Sequence, residues 1–153
     1  MLRILTRVGA AAVLLAAAIV PAAYGQAPRD KAAVIVIVNV ENDIRETTLA
    51  DLTRVYLGKK TLWESGARIH PAMLDEDQAV VRGFIEKDIQ RTVDQYRAYW
   101  KHMLFSGGGT APRTFRTAAK VVDFVAQEPG AIGIVAAAPT DDRVKVIEVK
   151  GGR

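Results

Sequence analysis

The stretch AVIVIVNV, Ala33 to Val40, constrains most what this chain can fold into. Its valines and isoleucines follow one another without the apolar–polar alternation of a strand that has one face in water. Such a run reads as a strand buried on both faces, in a parallel or mixed sheet covered by helices. The covering helices are legible downstream. Leu49, Leu52, Val55 and Tyr56 share one face at helical spacing, behind Thr48 and Asp51 as a capping pair. Gly58 stops that helix, and Lys59 and Lys60 sit where cations favour its negative end. RIHPAML is a short extended piece that Pro71 marks as an edge or irregular strand. Asp75 and Asp77 are expected to cap a helix from about Gln78 to Ile89, with Val80, Val81, Phe84 and Ile85 inward. Thr92 and Gln95 form a capping box for a further helix with Val93, Tyr96, Trp100 and Met103 on its apolar face. Thr117 starts the last helix, which Pro129–Gly130 ends. AIGIV and VKVIEV then read as strands. The order β, α, short β, α, α, loop, α, β, β implies an α/β unit with a mixed sheet flanked by helices.

The chain opens with the layout of a secretory signal peptide. Arg3 and Arg7 form a basic start, Val8 to Val20 an apolar run, and Ala23 and Gly25 the small residues that a signal peptidase reads. The run is shorter than the ~20 residues that span a bilayer. Cleavage is expected near Gly25, which leaves residues 26–153 as a single exported domain, periplasmic or secreted. Without Arg3 and Arg7 the net charge falls from +4 to +2, so the basic balance is no argument for nucleic acid. With no cysteine in the chain, an exported domain must rely on its core rather than on disulfides.

The segment FSGGGTAPRTF, residues 105–115, is the strongest candidate for chemistry. Glycine backbones bring N–H groups close to an anion, so Ser106, Gly107, Gly108, Gly109 and Thr110 are candidate ligand contacts. The same glycines also serve to end a helix. No Walker A lysine and no G-x-G-x-x-G accompanies them. Arg97 and Lys101 lie four apart on one helix face next to this loop, and Arg113 follows it. Together with Arg91 they are expected to hold an oxyanion, the alternative being a solvated charged face. Trp63, Tyr96, Tyr99, Trp100 and Phe105 would line a ligand pocket, although the spacing of Tyr96 and Trp100 is first of all that of core residues. The triplet Asp75-Glu76-Asp77 lacks the glycine of an EF-hand loop. His70 and His102 have no metal-ligand spacing, and Ser65 and Ser106 no nucleophile-elbow context. Neither a metal nor a cofactor is expected, and the reading is against an enzyme.

Three stretches together resemble a known family. LADLTRVYLGKKTLW, RIHPAML and VVDFVAQEPGAIGIV look like the phosphate-binding substrate-binding proteins of ABC transporters, and more closely like their short single-lobe relatives. YRAYWKHMLFSGGG resembles the helix and glycine turn of those relatives, and Glu128 to Gly133 is the most specific piece. The resemblance covers about Ala33 to Val135. It implies one lobe of a type 2 periplasmic-binding-protein fold, with an anion such as phosphate held by helix N-termini and backbone amides. In full-length members a Ser-Gly-Thr turn after the strand equivalent to RIHPAML contacts phosphate. Here that position reads Leu74-Asp75-Glu76-Asp77. Two functions follow as expectations: a solute-binding lobe for phosphate or another oxyanion in ABC-type uptake, or a periplasmic interaction module without a ligand. One lobe cannot close on a ligand as two hinged lobes do, so a homodimer or a periplasmic or membrane protein partner is expected.

Overall fold

The computed structural model describes residues 34–151. The expected signal peptide therefore lies outside the described residues. The elements are β1 (Ile35–Asn39), β2 (Glu46–Thr48), α1 (Leu49–Tyr56), β3 (His70–Leu74), α2 (Ala79–Lys87), α3 (Val93–Phe105), β4 (Arg113–Phe115), α4 (Ala118–Gln127), β5 (Ala131–Val135) and β6 (Val144–Lys150). They form one six-stranded sheet in the order β2-β6-β1-β5-β3-β4. The sheet is mixed: β1 is antiparallel to β5 and β6, whereas β3 is parallel to β5 and β4, and β2 to β6.

The valine–isoleucine run becomes β1, in the interior of the sheet. Val36, Ile37 and Val38 are buried, as are all five residues of β5. α4 covers one face, where Val121 and Val125 press on Gly133; a Cβ there would lie 2.9 Å from both. α1, α2 and α3 pack together as the other layer: the Tyr56 ring meets Phe84 edge-on at 5.4 Å, and its hydroxyl donates to the Ala72 carbonyl at 2.7 Å. Asn39 is the buried polar residue of this core. Its side-chain amide donates to the Val125 and Ala126 carbonyls (2.9 and 3.0 Å) and accepts from the Glu41 N–H, so it ties the end of β1 to the last turn of α4.

The local helix signals hold where a side chain makes the cap. Thr48 accepts from the Asp51 N–H, Thr117 from the Lys120 N–H, and Thr92 with Gln95 completes a capping box. Other expectations are corrected. The N-cap of α2 is Gln78, with no side-chain bond, so Asp75 and Asp77 do not cap it. β3 is interior rather than an edge. Pairing with β4 begins only at Ala72, so Pro71 stands one residue ahead of the ladder where its missing N–H would matter. β2 and β4 were not expected as strands. Each is three residues long and becomes a strand through its neighbour. Among the described residues, no helix is long and apolar enough to cross a membrane.

Candidate functional site

α3 stops in a Schellman arrangement. Gly107 takes φ 72°, its N–H donates to Leu104 and the Gly108 N–H donates to Met103. The Ser106 hydroxyl bonds the Met103 carbonyl. These two amides, expected to cradle an anion, are thus occupied by the helix they terminate. The chain beyond them differs. Gly109, Thr110, Ala111 and Arg113 run into β4 along one wall of a cleft of about 330 Å³.

The opposite wall comes from the end of α1 and the segment before β3. That segment is a small hairpin, with Trp63 N–H on Ala67 (2.8 Å), Ile69 N–H on Thr61 (2.9 Å) and Leu62 bridged to Arg68. Trp63 is buried and anchors it by donating from Nε1 to the Gly130 carbonyl at 3.0 Å. Gly130 lies so close beneath that a Cβ would sit 2.2 Å from the Arg68 carbonyl oxygen. The hairpin is therefore pinned on the Pro129–Gly130 turn and presents Thr61, Arg68 and His70 to the cleft, beside Gly58 and Lys60.

The electrostatics of this cleft are one-sided. Lys60, Arg68, His70 and Arg113 line it, with the hydroxyls of Thr61 and Thr110, and among the described residues no carboxylate does. Lys60 pairs with Asp51 at 2.8 Å. Among the described residues, neither Arg68 nor Arg113 is in an ion pair. Arg113 is held instead over the Phe124 ring, 5.0 Å from its centroid. Behind the cleft, the last carbonyls of α1 are satisfied by α3. Tyr96 and Trp100 donate to Tyr56 (2.9 and 3.3 Å) and Tyr99 donates to Leu57 (2.6 Å). Burial raises the Tyr56 and Tyr96 hydroxyls above their ordinary range, which keeps them as neutral donors.

Of the expected site residues, Gly109, Thr110 and Arg113 come together here, whereas Arg97 and Lys101 do not line this cleft. Arg97 pairs with Glu76 (3.5 Å) and Asp94 (3.6 Å) and lines a separate depression with Asp77, Arg82 and Glu86. Lys101 is exposed on α3, and Arg91 lies over the Tyr99 ring at 4.9 Å. None of Trp63, Tyr96, Tyr99, Trp100 and Phe105 lines the cleft: the first four pack and cap, and Phe105 is 85% exposed. Lys60, Thr61, Arg68 and His70 were missed. The alternation in Arg68-Ile69-His70 is a signal that was available, since a buried Ile69 in an extended segment turns both basic neighbours to the other side.

No protein-family model and no curated protein sequence matches the chain. Solved structures do. A phosphate ABC transporter substrate-binding protein assignment from Clostridium perfringens, solved with bound phosphate, is 18% identical with a TM-score of 0.61, over 78% of this chain and 46% of that one. PstS from Borrelia burgdorferi is 15% identical with a TM-score of 0.56, over 79% and 48%. An ABC-type phosphate transport receptor from Vibrio cholerae is 14% identical with a TM-score of 0.51, over 78% and 47%. The chain thus spans less than half the length of the structures it matches. At these identities the likeness establishes the fold alone: a single mixed α/β lobe like one found in solved phosphate substrate-binding proteins of ABC transporters.

Proposed function

We propose that this chain is an exported solute-binding lobe, related to ABC-type uptake, that takes a small oxyanion of the phosphate class. The cleft between Gly109–Arg113 and the Thr61–His70 hairpin supports this reading through the guanidinium groups of Arg68 and Arg113, which have no ion-pair partner among the described residues. Arg113 is the central contact, fixed on Phe124 and able to offer two parallel N–H donors. Thr61, Arg68, His70, Thr110 and Arg113 are all exposed, so these contacts are solvated and individually weak. A second copy, or a periplasmic or membrane partner covering the cleft, would strengthen them by excluding water.

Thermal denaturation of the purified protein in rising phosphate tests this. Stabilisation should follow RT ln(1 + [L]/Kd), about 2.7 kcal/mol at a hundredfold excess over Kd, and Arg113→Gln should reduce it. Absence of any shift with phosphate, sulfate and arsenate would sink the reading. The second reading, an interaction module without ligand, is favoured by the Asp75-Glu76-Asp77 turn, which puts carboxylates where a tetrahedral anion would meet the start of α2. A stable complex recovered from the periplasm, with no anion shift, would support it.

A further inference from the structure

The cleft is built for more than a bare anion. Its volume of about 330 Å³ falls at the small end of the ~300–1,000 Å³ range of sites for organic ligands. A free tetrahedral oxyanion is polar on every side and has no surface to lay on carbon. Yet beside its basic groups the cleft is walled by Val55, Ile69, Pro71, Ala111 and Phe124. Val55 and Ile69 belong to the core, Phe124 and Ala111 are half-buried and packed at its margin, and Pro71 is half-buried. The two kinds of lining meet at one residue pair. The Arg113 guanidinium rests on the Phe124 ring at 5.0 Å, and Phe124 in turn packs against Phe115 with centroids 5.6 Å apart. A cation held against an aromatic wall places charge and apolar surface within one ligand's reach.

We infer that the cleft takes an organic anion: a phosphomonoester or comparable oxyanion ester whose charged head meets Arg68, His70 and Arg113 and whose apolar body lies along Pro71, Ala111 and Phe124. This rests on the oxyanion reading of the same cleft and deepens it. Binding involves no covalent step. The apolar body supplies the affinity that solvated charges at an open cleft lack, because burying carbon gains free energy whether or not the anion is fully enclosed. The hydroxyls of Thr61 and Thr110 add directional contacts for ester or head-group oxygens.

Calorimetric titration of the full protein with inorganic phosphate, phenyl phosphate and phenol separates the possibilities. Phenyl phosphate should bind at least tenfold more tightly than phosphate, and phenol should not bind measurably. Arg113→Gln should weaken phenyl phosphate and phosphate in parallel. Phe124→Leu, which also frees Arg113 from its ring, should weaken both ligands but the ester more, bringing the preference for it below about threefold. Equal affinity of the wild-type protein for the two phosphates overturns the organic-anion inference and leaves the oxyanion reading standing. No binding of either overturns both. The wild-type comparison decides between these even where a variant folds poorly.

Discussion

The two ends of the parallel strands β3 and β4 differ in charge. At the end where His70 and Arg113 begin their strands, the lining is basic and contains no carboxylate. At the other end the chain leaves β3 through Asp75, Glu76 and Asp77. There the Asp75 N–H donates to Phe115, the Gln78 N–H to Asp75, and the Gln78 side chain to the Arg116 carbonyl. Arg97 is drawn to Glu76. Ligands of open α/β sheets usually sit beyond the carboxyl ends of the strands, where helix N-termini offer free amides. In this molecule the turn before α2 carries three carboxylates in a row, which oppose an anion approaching its N-terminus, whereas the basic end has none in its lining. A fold supplies several rims, and local charge decides which of them a ligand can use.

The largest expected effect comes from damaging the basic end alone. Gly130→Ala places a methyl group 2.2 Å from a backbone oxygen of the cleft hairpin, and backbone yields little. We expect a loss of about 3 kcal/mol by urea denaturation, as for severe overpacking, together with loss of the phosphate shift. Retention of both would mean that the hairpin is not pinned as described.

Next, exchanging one arginine at each end pits the two directly. Arg113→Gln should reduce the phosphate stabilisation, about 2.7 kcal/mol at a hundredfold excess over Kd, whereas Arg97→Gln should keep it. The reverse result in thermal denaturation would move the anion to the carboxyl end. Asn39→Ala, remote from both, should cost about 2 kcal/mol, because the Val125 and Ala126 carbonyls lose a buried donor. Its phosphate shift should be unchanged.

How far this contrast could be read from sequence depends on the range of the interactions involved. Thr48, Thr92 and Thr117 announce helices because a cap is completed within three residues. Glu46–Thr48 and Arg113–Phe115 carry no strand pattern of their own. β6 and β3 make them strands across long stretches of chain. Pro71 argues for an edge or irregular strand because its missing N–H is visible in sequence, while the late start of β4 that accommodates it is not. The site divides in the same way. Thr110 and Arg113 stood out beside the glycines, but Lys60, Thr61, Arg68 and His70 reach the cleft only because Trp63 and Gly130 dock the hairpin, 67 positions apart in the chain. Arg97 is near the glycine loop in sequence, but it lies on another part of the surface, beside Glu76 and Asp94.

A smaller effect concerns the support behind the basic end. Burial holds the Tyr56 and Tyr96 hydroxyls above their ordinary pKa of 10.0. Above about pH 10 the unfolded chain releases these protons while the folded chain retains them, so stability should fall as pH rises. Tyr96→Phe should cost about 1 kcal/mol at neutral pH through the lost bond to the Tyr56 carbonyl. The gap between variant and wild type should then narrow in alkaline solution, as followed by denaturant midpoints. A gap that stays constant to pH 11 would show that Tyr96 titrates alike in both states.

The smallest effect is the most discriminating for the two ends. The Arg97–Glu76 pair spans 3.5 Å, with the arginine side chain 52% exposed. Such a pair contributes at most about 0.5 kcal/mol, and salt screens it. Glu76→Gln should therefore shift the denaturation midpoint slightly at low ionic strength and hardly at all in high salt. It releases Arg97 from one partner and removes one negative charge from the turn before α2. If Asp75 and Asp77 suffice to close the carboxyl end to anions, phosphate stabilisation in Glu76→Gln should equal that of the wild type. A gain of phosphate stabilisation that persists in a Glu76→Gln, Arg113→Gln double variant would show that one carboxylate alone had kept the anion out.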